Sequence, residues 1–135
     1  MKVFLAAPLF SDAEREFNSR IAKRLRANGF EVWLAQEAPF IQTGTHKEKK
    51  MIYESDISAL KTSEAVVAIL DGVDVDAGVA YEMGYAKALG KPIVGFKTDH
   101  RTFSGLEQVN LMLEGALTKL CKSVDELMDA FAKMR

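Results

Sequence analysis

The chain has 135 residues, 48% of them hydrophobic and 27% charged, with a formal net charge of −1. That length and balance describe one ordinary globular domain over residues 1–135 and disfavour a disordered, fibrous or nucleic-acid-binding chain. One cysteine, Cys121, excludes an internal disulfide, and no apolar run approaches the roughly 20 residues of a membrane span, so a cytoplasmic protein is expected.

In chain order, Lys2 to Ala7 is a short apolar strand. Ser11 or Asp12 then caps an amphipathic helix that runs to about Asn28-Gly29, a good C-terminal stop. Because that helix follows directly, with no small-residue cleavage site, the apolar start is read as a strand and not as a signal peptide. Phe30 to Leu34 is a second strand, and Ala35 to Thr45 a loop with Pro39 and Gly44. Lys47 to about Lys61 is helical, with Met51, Ile52, Ile57 and Leu60 apolar. Ala65 to Leu70 is a fully apolar third strand, Ala77 to Leu89 a small-residue helix, and Ile93 to Phe96 a fourth strand. Beyond a polar loop, Leu106 to about Gly115 is a short helix, Leu117 to Leu120 a fifth strand, and Ser123 to Met134 a capped terminal helix.

Strands alternating with helices predict an α/β fold: a doubly wound, five-stranded parallel sheet of the flavodoxin or Rossmann-like type, with helices on both faces. In a 2-1-3-4-5 order the ligand crevice opens between strands one and three. The loops there are Ala7-Pro8-Leu9 and Asp71 to Asp76.

Glu82 lies on the helix after the third strand and shares a stripe with Gly78, Val79, Ala86 and Leu89. A carboxylate on an apolar stripe is unfavourable unless paired or used, and Lys87, the helix's one cation, is five residues on and points elsewhere. Such a group suits attack on an electrophilic sugar carbon; a structural glutamate satisfied by a neighbour is the alternative. Asp71, Asp74 and Asp76 cluster after the third strand as acid/base candidates or as turn and cap residues, Asp76 being a plausible N-cap. Their spacing is not a calcium loop, and His46 and His100 are not spaced as a ligand pair, so no metal is expected. Asp56, between Ile52 and Leu60 at helical spacing, also turns its carboxylate inward; a solvent-facing position at the helix flank or pairing with a nearby lysine is the alternative. No G-x-G-x-x-G, P-loop or G-x-S-x-G motif is present.

Gly78-Val-Ala-Tyr-Glu82-Met-Gly84-Tyr-Ala86, with Asp76 six residues ahead of the glutamate, resembles the central motif of the nucleoside 2-deoxyribosyltransferase family. The likeness spans nearly the whole chain. It implies that Glu82 is the nucleophile and that Asp76 holds the sugar 5′-hydroxyl and the nucleophile. It implies too that Asp56, in Asp56-Ile-Ser-Ala-Leu-Lys61, assists protonation of the leaving base. Asn110-Leu-Met112 matches the segment with which nucleoside-using members reach a neighbouring subunit's site, so Asn110, Met112 and a homo-oligomer are implied. Gln36 falls where the family hydrogen-bonds the base, Gly78 is within the motif, and Pro8 and Phe10 belong to the first loop, which lacks the arginine of the monophosphate hydrolases. The family's strand-one tyrosine is Phe4 here.

The resulting expectation is transfer of 2-deoxyribose between nucleobases, in nucleotide salvage, by retaining double displacement. Its substrates are a deoxynucleoside and an acceptor base, with no metal or organic cofactor, no nucleic acid and no membrane partner. The alternatives are an N-glycosidase acting on deoxynucleosides or their 5′-monophosphates, and a silent nucleoside-binding module.

Overall fold

The structure is a computed structural model and describes residues 1–39 and 43–135. Its first strand, β1 (Lys2–Ala6), lies between β2 (Glu31–Leu34) and β3 (Ala65–Ile69), and β4 (Ile93–Phe96) and β5 (Lys119–Cys121) continue the sheet. All four pairings are parallel, and the order is β2-β1-β3-β4-β5, as the sequence predicts. The register sets Phe4 beside Trp33 and Val66.

Because side chains alternate along a strand, the apolar runs supply both faces at once. Val3, Leu5, Val67, Ile69, Val94 and Phe96 face α1 (Asp12–Ala27) and α5 (Val124–Ala132), packing on Ile21, Leu25, Leu127 and Phe131. Phe4, Ala6, Val66, Ala68 and Ile93 form the other layer with Leu60 of α2 (His46–Thr62) and with Val79, Met83 and Ala86 of α3 (Ala77–Ala88). A capping box starts α1: Ser11 Oγ accepts from Glu14 N at 3.1 Å, and Glu14 Oε1 accepts from Ser11 N at 2.9 Å.

Two boundaries differ from the sequence expectation, and one expected loop contains a short turn. The helix expected from Leu106 begins only at Leu111, as α4 (Leu111–Ala116). Ser104 Oγ takes the N–H groups of Leu106 and Glu107 in a local turn, and Asn110 caps the helix instead. Leu106 is 99% exposed. The fifth strand starts two residues late, because Leu117 ends α4 with its N–H on Glu114 O. Within the Ala35 to Thr45 loop a 3₁₀ turn covers Ala35–Glu37, Glu37 pairs with Arg26 at 2.6 Å, and residues 40–42 lie outside the described residues. No helix among the described residues is long and apolar enough to cross a membrane.

Candidate active site

The chain diverges after β1 and β3, and at that crevice three carboxyl groups come together. Glu82 is on α3 but not at the centre of its buried stripe. Val79, Met83 and Ala86 are buried, while Gly78 and Leu89, expected on the stripe, are exposed. Glu82 therefore stands half-buried at the edge of the apolar layer. Among the described residues no hydrogen-bond donor reaches its carboxyl. Burial first, then the charges of Asp56 and Asp76, push its pKa up to about 8.

Asp76 caps α3, its Oδ2 accepting from Val79 N at 3.1 Å. Gly78 makes room for this: a Cβ there would lie 3.1 Å from Asp76 Oδ2. Asp56 comes from the inner side of α2, where Trp33 Nε1 donates to its Oδ1 at 3.3 Å. Burial raises the Asp56 pKa, and the indole bond opposes that shift only in part. Two groups with elevated affinity for a proton and no cation among their causes are thus brought into electrostatic contact.

The other two aspartates serve the loop. Asp71 accepts from Thr98 N and Asp99 N at 2.6 and 3.1 Å, which ties the loop after β3 to the one after β4. Asp74 accepts from Val75 N at the surface. Lys97, 1% exposed, donates to Gly72 O at 3.1 Å and pairs with Asp99 at 2.6 Å; Asp99 in turn accepts from Gly72 N. Burial pushes Asp99 up, but the Lys97, Gly72 and Arg101 bonds outweigh it and hold its pKa at about 2. Gly72 has φ +119°, a conformation that favours glycine, so the strut closes on the one residue suited to that turn. Lys97 is a buried cation that sequence patterning misses, because it directly continues an apolar strand.

A cavity of about 260 Å³ lies beside Asp56, lined by Leu9, Arg15, Ala35, Gln36, Ala38, Ile52 and Asp56. Glu82 and Asp76 do not line it. Gln36 does, but its amide is already engaged: Nε2 donates to Arg15 O at 2.9 Å and Ser19 Oγ at 3.0 Å, and Oε1 accepts from Asn18 Nδ2 at 3.1 Å. Asn18 also donates to Pro8 O at 2.8 Å, so Pro8 contributes its carbonyl to this chain of bonds. Phe10 is 72% exposed and lines no cavity described here, and it is not brought to the carboxyl cluster. Asn110 caps α4 through Met112 N at 2.9 Å, and Leu111 and Met112 (74% exposed) project outward. Phe4 is buried in the layer beneath α3 and offers no donor. Tyr81 does not substitute, since its hydroxyl pairs with that of Tyr53 at 2.8 Å. Asn18, Trp33 and Arg15 are the participants not foreseen; Asn18, on the apolar stripe of α1 with Ile21, Ala22 and Leu25, was discoverable by the logic that selects Glu82.

Comparison with known proteins gives the family and the fold. The profile of the family described as nucleoside 2-deoxyribosyltransferase matches residues 3–128. A nucleoside deoxyribosyltransferase of Limosilactobacillus fermentum is 28% identical over 129 residues, 87% of this chain and 76% of that protein. A conserved protein from Enterococcus faecalis V583 superposes with a TM-score of 0.86 at 27% identity, covering 100% of this chain and 99% of the other. The 2-deoxyribosyltransferase of Bacillus psychrosaccharolyticus gives 0.81 at 26% identity, covering 94% and 90%.

Proposed function

The chain belongs to the nucleoside 2-deoxyribosyltransferase family, a family of deoxyribosyl transfer and related N-glycosidase chemistry, and on that premise we propose that it moves 2-deoxyribose between nucleobases through a covalent intermediate on Glu82. The observation that carries this reading is the Glu82 carboxyl, half-buried, without a donor among the described residues, and within the electrostatic reach of Asp56 and Asp76.

In the first step a Glu82 oxygen bonds to C1′ as the C1′–N bond breaks, and the electron pair goes to the base nitrogen, which takes the proton of Asp56. The product is an ester between Glu82 and C1′ with inverted configuration. A second base attacks C1′ from the face just vacated, its N–H proton returns to Asp56, and Glu82 leaves as carboxylate with the β anomer restored. The form required is Glu82 ionised and Asp56 protonated. In the free protein the proton rests on Glu82, so the reactive form is reached by passing that proton to Asp56, whose own affinity for it is raised by burial. Without an electron-withdrawing 2′-hydroxyl the oxocarbenium-like transition state is easier to reach, which favours deoxyribose. Asp76, fixed by its cap bond, is assigned to orient the 5′-hydroxyl and the nucleophile.

Transfer also requires that water be kept from the ester. The projecting Leu111 and Met112, with Asn110 at the base of the same short helix, suit insertion into a neighbouring copy's site in a homo-oligomer. Asn110→Ala is expected to raise KM for nucleoside and the ratio of hydrolysis to transfer; unchanged kinetics would refute the shared site.

The test is incubation with deoxyinosine and adenine, followed by chromatography, with Glu82→Ala alongside. Deoxyadenosine and hypoxanthine from the wild type alone support the reading. Free deoxyribose formed in place of deoxyadenosine would replace transferase with N-glycosidase, and binding without cleavage would leave a silent module.

A further inference from the structure

The geometry points to Arg15 as the residue that selects the base, favouring nucleobases with an oxo group over their amino counterparts. This deepens the transfer reading and rests on it for the direction in which substrate enters. Asp56 lines the cavity and acts on Glu82, whereas Glu82 and Asp76 lie outside the lining. With C1′ against Glu82 and the base nitrogen against Asp56, the space beyond Asp56 receives the base, and the sugar's 5′ end points the other way, toward Asp76. Arg15 therefore meets the base.

Which base follows from the donors that remain. Gln36 is the obvious reader, but its amide is committed in both position and orientation. Pro8 O can only accept, so Asn18 must turn its Nδ2 that way and toward Gln36; Gln36 must then present Oε1 to Asn18 and Nε2 to the Arg15 carbonyl. Both amide hydrogens of Gln36 are consumed by Arg15 O and Ser19 Oγ. Arg15 is the opposite case. Its guanidinium donates to Leu9 O at 3.0 Å and to Asp12 at 2.6 Å, and its other N–H groups find no acceptor among the described residues. Asp12 is almost fully solvent-exposed, so this ion pair holds the guanidinium only weakly.

A guanidinium can only donate. The 6-oxopurines present O6 and N7 as adjacent acceptors that its fork matches, while a 6-aminopurine sets an N–H₂ donor where O6 would be. By the same chemistry 4-oxopyrimidines are favoured over 4-aminopyrimidines. Arg15 belongs to the first turn of α1, beyond the first loop, which itself has no arginine.

The test is a competition between equimolar deoxyinosine and deoxyadenosine as donors to one common acceptor base, 2,6-diaminopurine. It is run with wild type, Arg15→Met and Arg15→Lys, with melting curves to verify folding. The wild type is expected to consume deoxyinosine faster, Arg15→Met to lower the ratio of the two rates roughly tenfold, and Arg15→Lys to lower it less, since it keeps the charge without the fork. An unchanged ratio in Arg15→Met, or a wild type that prefers deoxyadenosine, overturns the assignment. A loss confined to 5′-monophosphate donors also overturns it, by moving the guanidinium to a phosphate. Calorimetric titration of hypoxanthine and adenine into each protein needs no turnover. If the wild type cleaves neither donor the transfer reading falls, and an Arg15-dependent preference for hypoxanthine in the titration still upholds the assignment, whereas none refutes it.

Discussion

Asn18 and Glu82 are polar side chains set against the apolar layers on opposite faces of the sheet, and they are treated in opposite ways. Asn18 on α1 is 1% exposed and fully partnered, joining the loop after β1 to Gln36. Glu82 on α3 is half-buried, meets no donor among the described residues and faces two acids. Burial of a polar group alone does not mark chemistry, because a satisfied group is architecture. A group left unsatisfied beside like charges raises its own energy, and a fold tolerates that where the group reacts. Asn18 stabilises the crevice and Glu82 loads it.

The comparison breaks most readily at Glu82. Glu82→Gln keeps the shape and removes the proposed nucleophile, so turnover should fall by about 10³-fold or more with the circular dichroism spectrum unchanged. Substantial residual transfer in that variant would make Glu82 a second Asn18.

The next effect is on stability. The native state holds the Glu82 proton up to about pH 8, whereas an ordinary carboxyl releases it near 4.5. Between those values the folded state binds more protons, so wild-type stability declines as pH rises, by up to about 1.4 kcal/mol per pH unit. Glu82→Gln should therefore match wild type in urea unfolding at pH 4.5 and be more stable at pH 8. Equal pH dependence in the two proteins would remove the strained carboxyl from the account.

Asn18→Ala should do the reverse. It orphans Pro8 O and Gln36 Oε1, and it should lower unfolding free energy by about 1–3 kcal/mol at every pH, raising KM through the loosened Gln36. A pH-dependent loss would count against its purely architectural role. The smallest effect is expected from Trp33→Phe, which removes the donor that lowers the Asp56 pKa. The alkaline limb of kcat/KM should move up by up to about one pH unit, with kcat nearly unchanged.

Much of this was legible in the sequence wherever periodicity and caps agree. Ala65 to Leu70, flanked by Ser63 and Asp71, reads as a buried strand, and Ser11 with Glu14 marks the start of α1. Glu82 was legible because a lone carboxylate on a stripe with Val79 and Ala86 is costly, although Gly78 and Leu89, expected on the same stripe, are exposed. Which aspartates join it was not legible in the pattern, although the family resemblance pointed to Asp76 and Asp56. Asp71, Asp74 and Asp76 look alike in a string, and only the return of the chain after β4 shows Asp71 bound to Thr98 and Asp99 and Asp76 left beside Glu82. Trp33 and Arg15 escaped for the same reason, since their partners lie on other elements. The stretch at Leu106 misled because the Ser104 side chain takes the N–H groups of Leu106 and Glu107 in a turn and Asn110 caps the helix further on.

The most direct test of the central claim is peptide mass mapping of the protein after brief exposure to a deoxynucleoside without acceptor base, quenched in acid. The account predicts a deoxyribosyl adduct on the peptide containing Glu82, absent in Glu82→Gln and discharged when acceptor base is added. Transfer proceeding with no adduct, or with the adduct on Asp56 or Asp76, would contradict it.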